Sequence, residues 1–434
     1  MSDPVLGLLG FVLTVALILL RVPVAVAMGA VGVAGFTILN GWRGTEFILG
    51  AAPFEAVFPY SLSVVPLFIL MGVFAAQAGL SRSLYDAVNA FTGHARGGLA
   101  MATIGACALF GAICGSSLAT SATMCKVALP EMRRHGYDDR LATAAIAAGG
   151  TLGVLIPPSV ILVLYGLLTE TSIGQLFIAA LVPGLLATLL YIAAIAVAVR
   201  LRPELGPPSA RHSWGERGAV LGRVWSVLGL FLLVIGGMYL GWFSPTEAAA
   251  VGALGAFVMA LASGRMTGRS FLEGCWQTME TTGMIFLILV GAALFNYFIE
   301  TTGLPRALVG LIEASGLSEF TVLVIVVVFY LLLGCVMDAL SMVLLTIPFV
   351  FPMVEALGVD PVWFGILIVS VAEIGLITPP VGMNLFVIQG AAGDVRQATI
   401  VRGILPFLVA DVVRIALILA FPIIVLWLPG MMYR

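Results

Sequence analysis

The sequence predicts an all-α, multi-pass membrane protein made of two inverted repeats, each containing a re-entrant helical hairpin and a broken helix. The chain of 434 residues is 61% hydrophobic and 10% charged, and its mean hydropathy is +1.15. Soluble domains carry about 25% charged residues. Apolar runs of about 20 residues, long enough to cross a hydrocarbon core, recur along the chain. Two proline pairs also interrupt apolar segments at matching places in the two halves.

Ten apolar segments are predicted to cross the membrane, five on each side of a polar linker at residues 201–220. The linker is rich in Pro, Gly and Arg, and it divides a first repeat at residues 1–200 from a second at residues 221–434. The N-terminal segment lacks a basic region and a cleavage site, so we expect a retained span and not a signal peptide. The predicted spans are residues 4–20, 22–41, 60–80, 141–168, 174–199, 221–243, 245–262, 281–299, 361–391 and 403–428.

Each repeat also holds a shorter apolar segment with a polar centre, which we predict to be a re-entrant hairpin. In the first repeat it covers residues 97–132, with Gly115-Ser116-Ser117 at its centre. In the second it covers residues 320–353, with Asp338 at its centre. The stretch 118–132 would rise only about 22 Å as a helix, which is too short to span the membrane comfortably. A hairpin that enters and leaves on one side therefore fits better.

Matching residues in the two halves are always separated by the same number of residues, which is the separation of Pro23 and Pro245. The match contains no gap. A shared register of this kind indicates an internal repeat. The matched pairs are Pro23 with Pro245, Ser116 with Asp338, Pro130 with Pro352, Gly153 with Gly375, Pro157-Pro158 with Pro379-Pro380, and Gln175 with Gln397. Arginine-rich loops are expected in the cytoplasm. With five crossings in each repeat, that rule inverts the second repeat and places the N-terminus outside.

The proline pairs predict broken helices at residues 141–168 and 361–391. Proline removes a backbone donor and clashes with the preceding turn, and it suits the first position of a new helix. We therefore expect unwound stretches at residues 149–156 and 371–378. Unsatisfied backbone in lipid costs several kcal/mol for each group, so such breaks are tolerated where they line a cavity. One proline alone is also compatible with a simple kink.

Helix breaks and hairpin tips present the groups that bind ions. Free carbonyls attract a cation, and the N-termini of half-helices attract an anion. Hydroxyl and carbonyl oxygens near each tip and break therefore predict sodium ligands, although Ser and Thr hydroxyls also bond back to their own helix. The candidate sodium ligands are Gly115, Ser116, Ser117, Gly150, Thr151, Gly153, Asp338, Gly375 and Thr378. The candidate substrate contacts are Ser116, Thr120, Pro157, Pro379 and Asn384.

Charged residues inside apolar segments are expensive, so each one suggests a role. Asp338 lies at the second hairpin tip and is predicted to add charge to a cation site. Glu373 lies near the second break and is read either as a site residue or as a structural partner. Asp411 and Arg414, three residues apart on one helix, predict a local ion pair. Lys126 is read as structural.

Composition also limits the other functions. A net charge of −2 without a basic stripe gives no indication of nucleic-acid binding. The five cysteines form no CxxC motif and are read as small apolar residues, and the three histidines fall in loops, so we expect sodium as the only metal and no organic cofactor. An enzyme using Ser116 and Lys126 is disfavoured, because about 15 Å of helix rise separates them. A passive channel stays open as an alternative.

Four motifs resemble one transporter family: GAICGSSLATSATM, GGTLGVLIPPSVILVLYG, WFSPTEAAAVGA and EIGLITPPVGMNLF. They resemble the large membrane subunit of tripartite ATP-independent periplasmic (TRAP) transporters, over residues 22–421. The resemblance implies an elevator-type secondary transporter that uses sodium to take up an organic acid such as a C4-dicarboxylate or sialic acid. It implies two partners, a small four-helix membrane subunit and a soluble periplasmic binding protein, and a place in the bacterial inner membrane.

The resemblance also assigns ion sites to the places where hairpin tips meet helix breaks. It implies one sodium site at Ser116, Ser117, Gly150 and Thr151, and another at Asp338, Gly375 and Thr378. Because no small-subunit sequence precedes Met1, we expect that partner to be a separate chain. The substrate pocket cannot be matched residue by residue, so the identity of the organic acid is left open.

Overall fold

The computed structural model describes residues 3–432, which form nineteen α-helices and three short 3₁₀ turns, with no β-strand in this range. The first half contains α1 (Asp3–Leu19), α2 (Val24–Val57), α3 (Val64–Gln77), α4 (Leu80–Thr92), α5 (Gly98–Cys114), α6 (Ser117–Arg134), α7 (Asp139–Leu155), α8 (Val160–Leu168) and α9 (Ile173–Leu201). The second half contains α10 (Trp214–Tyr239), α11 (Pro245–Ala262), α12 (Gly268–Thr301), α13 (Leu304–Ser315), α14 (Glu319–Gly334), α15 (Ala339–Ala356), α16 (Pro361–Ile377), α17 (Met383–Ala392), α18 (Gln397–Ala420) and α19 (Ile423–Leu426). The 3₁₀ turns are Tyr60–Ser63, Pro203–Leu205 and Pro429–Met431.

The multi-pass prediction is confirmed, with some different boundaries. Within residues 3–432, nine helical segments are long and apolar enough to cross a membrane: Val24–Val57, Tyr60–Gln77, Asp139–Leu168, Ile173–Leu201, Trp214–Tyr239, Pro245–Ala262, Gly268–Thr301, Ala339–Ala356 and Gln397–Ala420. Helices α2 and α12 have 34 residues each and extend well beyond the predicted spans. The predicted end of the second span falls at Gly41, where a φ of 73° kinks α2 without ending it. The short helices α4 and α13 were not predicted.

Helix bounds recur at the offset found in the sequence. Helices α6 and α15 begin and end at positions related by that same offset, and so do α7 and α16. The caps repeat too, because the aspartates that precede α7 and α16 are equivalent positions in the two halves. Asp138 accepts a hydrogen bond from the backbone N–H of Arg140, and Asp360 accepts from those of Val362 and Trp363. Such caps satisfy backbone donors that the first helical turn leaves free.

Two groups of packed helices can be distinguished. In the first group α12 lies along α2, and α3 packs on α11 and α12. Small residues allow this close approach, because a Cβ at Gly32 would lie 2.6 Å from the Leu294 backbone. In the second group each hairpin packs on a broken helix: α5 and α6 on α7, and α14 on α16. Helices α7 and α16 also contact each other, and α9 and α18 contact both, so both breaks lie within this second group.

One polar contact ties the end of the first hairpin to two other elements. The Arg133 guanidinium donates to Asp139 at 2.8 and 2.9 Å and to Asp394 at 3.0 Å. Asp139 begins α7, and Asp394 follows α17. The hydrogen bond from Arg133 holds the pKa of Asp394 below its ordinary value. The contact therefore links elements from both halves of the chain outside the apolar spans.

Candidate functional site

Both proline pairs interrupt a helix, but the unwound residues lie later than predicted. Helix α7 continues through residues 149–155, and α16 continues through residues 371–377, so the prediction that these stretches are unwound is wrong. The first break covers residues 156–159, and the second covers residues 378–382. The reason is that glycine costs a helix about 1 kcal/mol and proline about 3 kcal/mol. The glycines of 149-GGTLG-153 are therefore tolerated in the helix, and unwinding begins next to the prolines.

The residue before each proline pair sets the geometry of the break. Ile156 has φ −73° and ψ 122°, and Thr378 has φ −94° and ψ 127°. Both are extended, as expected for a residue before proline, where the α conformation is disfavoured. Both pairs contain a cis peptide bond between their two prolines. The chain therefore leaves the helix one residue before each pair.

The prolines also leave particular carbonyls without a helical donor. In a continuous helix, the N–H groups of residues 157 and 158 would bond to the carbonyls of Gly153 and Val154. Proline has no N–H, so these two oxygens are free to bind another group. Gly150, by contrast, lies inside α7, where its carbonyl belongs to the helical ladder. The predicted carbonyl ligand at Gly153 is therefore better placed than the one at Gly150.

The first hairpin tip lies directly on the first break. Gly115 ends α5 with φ 64°, and a Cβ on it would lie 2.7 Å from the Pro158 carbonyl oxygen. A Cβ on Gly153 would lie 2.8 Å from Thr120 Oγ1 and 3.0 Å from the Ser116 carbonyl oxygen. Glycine is needed at both positions because the two backbones touch. The structure thus brings together four residues predicted from sequence: Gly115, Ser116, Thr120 and Gly153.

Two hydroxyl oxygens at this contact are buried and have no hydrogen-bond partner in the described chain. They are Thr120 Oγ1 and Ser121 Oγ. A Cβ on Gly150 would meet Ser121 Oγ and would lie 3.3 Å from the Ser117 carbonyl oxygen. Ser121 was not predicted, although its spacing of four residues from Ser117 places both on one face of a helix. A buried polar atom without a partner is costly, so these oxygens have the chemistry of cation ligands.

Thr151 faces a different neighbour than predicted. Its hydroxyl donates to the Ala148 carbonyl at 2.8 Å and lies 3.3 Å from the Tyr191 hydroxyl on α9. Thr151 is fully buried. Adjacent helical residues point about 100° apart, so Gly150 and Gly153 face the hairpin while Thr151 faces α9. Its side chain is therefore not among the oxygens at the hairpin tip.

The second tip is arranged differently from the first. Asp338 caps α15 and accepts hydrogen bonds from the Ser341 backbone N–H at 3.0 Å and from the Ser341 hydroxyl. The hairpin approaches α16 through Gly334, since a Cβ on Gly375 would lie 2.5 Å from the Gly334 backbone. Thr378 bonds back to its own helix, with Oγ1 donating to the Ile374 carbonyl at 2.6 Å. Among residues 3–432, Asp338 forms no hydrogen bond with the second break.

Asn384 links the second half to the first site. It is fully buried on α17, and its Nδ2 donates to the Ala147 carbonyl of α7 at 3.3 Å. Its Oδ1 has no partner within the described residues. Burial also differs between the breaks, because Pro157 and Pro158 are buried while Pro379 is half-buried and Pro380 is exposed. The first break is therefore enclosed and the second is partly open.

The predicted local ion pair belongs to a larger buried network. Arg414 lies 3.0 Å from Asp411 on its own helix, and it also donates to Glu373 on α16 at 2.8 Å. Asp411 accepts a hydrogen bond from the Tyr191 hydroxyl at 2.8 Å. All four side chains are at most 1% exposed. Glu373 therefore has Arg414 as a buried partner, which sequence reasoning missed because the two residues lie on different helices, far apart along the chain.

We expect Gly375→Ala to force the second hairpin away from α16. Its Cβ would collide with the Gly334 backbone, which cannot give way as a flexible side chain would, and overpacking of this kind costs about 1–3 kcal/mol. The measurement is thermal unfolding of the purified protein. Gly390→Ala on α17 is the control, because its Cβ would meet nothing within 4 Å. Equal stability of the two variants would contradict the close helix contact.

The chain matches the family description "Tripartite ATP-independent periplasmic transporter, DctM component" over residues 11–424. It is 38% identical to a C4-dicarboxylate TRAP transporter large permease protein of Pseudomonas aeruginosa, covering 87% of this chain and 88% of that protein. It is 32% identical to a sialic acid TRAP transporter large permease protein of Vibrio cholerae, covering 91% and 92%. It is 33% identical to an ectoine TRAP transporter large permease protein of Halomonas elongata, covering 97% and 98%.

Solved structures give an independent view of the fold. The YdaH transporter of Alcanivorax borkumensis, described as having an unusual topology, is similar with a TM-score of 0.68 and 16% identity, covering 99% of this chain and 100% of that one. Similarity at this identity indicates the fold alone. The family match spans most of the chain, and the relatives are named permeases. The chain therefore belongs to the DctM family, the large membrane permease component of TRAP transporters.

Proposed function

We propose that this permease couples sodium entry to the uptake of a small organic acid. The observation that carries the proposal is the enclosed set of oxygens where the first hairpin tip meets the first break. These oxygens are the hydroxyls of Thr120 and Ser121, which have no partner in residues 3–432, and the carbonyls of Ser116 and Gly153. Neutral hard oxygens in a buried site suit a small monovalent cation such as sodium, and divalent cations usually need more carboxylates.

A second sodium site is proposed near Asp338, Gly375 and Thr378. Asp338 is half-buried at a hairpin tip inside an apolar region, where a carboxylate is expensive unless it has a partner or a function. The Pro379-Pro380 pair removes the N–H groups that would bond to the carbonyls of Gly375 and Leu376. Gly375 retains one bond, from the Thr378 N–H at 3.2 Å, so Leu376 supplies the freer carbonyl.

The substrate is proposed as a carboxylate held between the two breaks. Asn384 fits this role, because only one of the two Nδ2 hydrogens is used in the bond to the Ala147 carbonyl, and its helix begins at the second break. Ser116, Thr120, Pro157 and Pro379 are the other proposed contacts. Relatives at 32–38% identity are named for C4-dicarboxylate, sialic acid and ectoine transport, so the proposal stops at the class of small organic acids.

The proposed transport movement is an elevator. Hairpins and broken helices pack together as one group, while α2, α3, α11 and α12 pack as another, and this division supports a mobile domain within a scaffold. Loop arginines support an inner-membrane orientation with residues 201–220 in the cytoplasm and the N-terminus in the periplasm. The family description supports two proposed partners, a small membrane subunit and a periplasmic binding protein that delivers the substrate.

The deciding experiment is uptake by proteoliposomes that contain the permease and its small subunit, with the loaded binding protein outside. A sodium gradient should drive accumulation above the external concentration, and collapse of the gradient should stop it. Downhill flux without a sodium requirement would favour the channel alternative. Accumulation that ignores sodium would overturn the sodium-coupled proposal.

We expect Asp338→Asn to reduce sodium affinity at least about tenfold, because one charge is lost from a half-buried site, and tenfold corresponds to about 1.4 kcal/mol. Stability should change little, since Asn caps a helix about as well as Asp. The measurement is uptake against sodium concentration, together with thermal unfolding. Asp360→Asn is the matched control, because it alters the cap of the neighbouring broken helix α16. Unchanged sodium activation would assign Asp338 a capping role only.

A further inference from the structure

We infer that Tyr191, Asp411 and Arg414 form a positioning relay that couples the two helix breaks to each other. The inference rests on the proposed sodium function and extends it. Two ion sites in one carrier must be filled together if transport is to be tightly coupled. Such coupling requires a physical connection with discrete arrangements. The buried network provides a connection between α7 and α16.

The relay runs from one broken helix to the other through three bonded contacts and one contact between two hydroxyls. Thr151 Oγ1 on α7 lies 3.3 Å from the Tyr191 hydroxyl on α9. Tyr191 donates to Asp411 Oδ1 on α18 at 2.8 Å, and Asp411 Oδ1 lies 3.0 Å from Arg414 Nη2. Arg414 Nη1 donates to Glu373 Oε2 on α16 at 2.8 Å. Every link is buried, so water does not screen or replace these contacts.

The two ends of the relay are equivalent positions. Thr151 and Glu373 are related by the same offset that relates the two broken helices. Each lies four residues before the last residue of its helix, Leu155 in one case and Ile377 in the other. The relay therefore contacts each helix one turn before its break. A rotation or shift of one helix end would move the side chains that contact the other helix end.

Hydrogen counting shows that the Thr151 end has two arrangements. A Thr or Tyr hydroxyl has one hydrogen to donate. Thr151 donates its hydrogen to the Ala148 carbonyl, and Tyr191 donates its hydrogen to Asp411. The contact between the two hydroxyls then has no hydrogen between the oxygens. The Thr151 hydrogen therefore has two alternative acceptors, the Ala148 carbonyl and the Tyr191 hydroxyl, and a full bond between the two hydroxyls forms only with the second.

The Glu373 end is held more rigidly. Arg414 is shared between two carboxylates, and its guanidinium also donates to the Ser370 carbonyl of α16 at 3.2 Å. A planar guanidinium with several fixed donors transmits position better than a flexible ammonium. Arg414 thus fixes α18 against α16, and Tyr191 extends that fixed frame to α7. We call all three positioning residues, because none lies at the hairpin tips.

Tyr191→Phe is the test, because it removes only one hydroxyl. We expect the uptake curve against sodium to become less cooperative, with a Hill slope falling toward one, and half-saturation to rise at least about fivefold, the low end of typical coupling. Tyr137→Phe is the matched control, since Tyr137 is also buried and accepts one hydrogen bond, from the Leu99 N–H at 3.1 Å. A lower melting temperature with an unchanged sodium curve would overturn the relay.

A second measurement does not depend on sodium coupling. Thr151→Val and Glu373→Gln are combined in a double-mutant cycle of thermal unfolding, in the parent and in the Tyr191→Phe background. The two side chains are joined through the relay, so their effects should be non-additive in the parent and additive without the hydroxyl. Additivity in the parent would overturn the relay. Non-additivity together with sodium-independent uptake would retain the relay and reject the proposed sodium function.

Discussion

Arg414→Met is expected to destabilise the protein by about 3–5 kcal/mol, the usual cost of leaving buried charges without their partner. Arg414 is fully buried and has two carboxylate partners, Glu373 at 2.8 Å and Asp411 at 3.0 Å. Removing the guanidinium leaves two carboxylates in an apolar interior, where Asp411 keeps the Tyr191 hydroxyl as a donor. The measurement is thermal unfolding of the purified permease.

Two controls make this expectation specific. Arg269→Met removes the exposed ion pair with Glu273, and such surface pairs contribute about 0–1 kcal/mol. The triple variant Arg414→Met, Glu373→Gln, Asp411→Asn should recover much of the loss, because no buried charge is left without a partner. If Arg414→Met unfolds at the parent temperature, the buried ion pairs do not form.

The sequence was sufficient to predict that two helices are broken and where α6 and α15 begin, because both depend on local signals. The polar centres at Ser116 and Asp338 became the N-caps of α6 and α15. The offset between the two proline pairs reappears in the bounds of the helices that precede them. Local residue chemistry determines where a helix begins and ends, so a repeated sequence pattern gives helix ends at equivalent positions.

The position of the unwound residues was misjudged because glycine can either weaken a helix or allow another backbone to approach it closely. The run 149-GGTLG-153 looked flexible, yet it is helical and fully buried. Its glycines permit contact with the first hairpin, since a Cβ on Gly153 would collide with Thr120 and Ser116. A sequence shows that a residue is small, but the approach of a second backbone is a property of the fold. In the first broken helix, Pro157 was the residue that correctly indicated where the helix ends.

The buried network could not be predicted, because its members come from four helices. Thr151, Tyr191, Glu373 and Arg414 lie on α7, α9, α16 and α18. Apolar composition marks these helices as buried, but nearly uniform hydrophobicity hides which face meets which neighbour. Only the spacing of Asp411 and Arg414 was local enough to read. The same limit explains Thr151, whose residue type suited an ion ligand while its direction on α7 did not.

Replacing Pro157 and Pro158 together with alanine is expected to abolish the response to sodium while stability is kept. Alanine favours a helix interior by about 3 kcal/mol over proline at each position. It also restores the N–H groups that would bond to the carbonyls of Gly153 and Val154. Helix α7 can then continue across the break, and its free oxygens are consumed. Because the Gly115 tip contacts the Pro158 carbonyl, the substitution also changes the surface of the break on which the hairpin packs.

Sodium-dependent uptake and sodium-dependent thermal stabilisation separate this result from general damage. The parent should gain stability with sodium, since a ligand that binds only the folded state raises the unfolding temperature. The variant should unfold near the parent's sodium-free temperature and show no further gain. Pro183→Ala is the matched control, because Pro183 lies inside the continuous helix α9. That control should keep its sodium response. A double variant that still gains stability with sodium would mean that the first break is a packing feature, and the ligands would then have to be sought elsewhere.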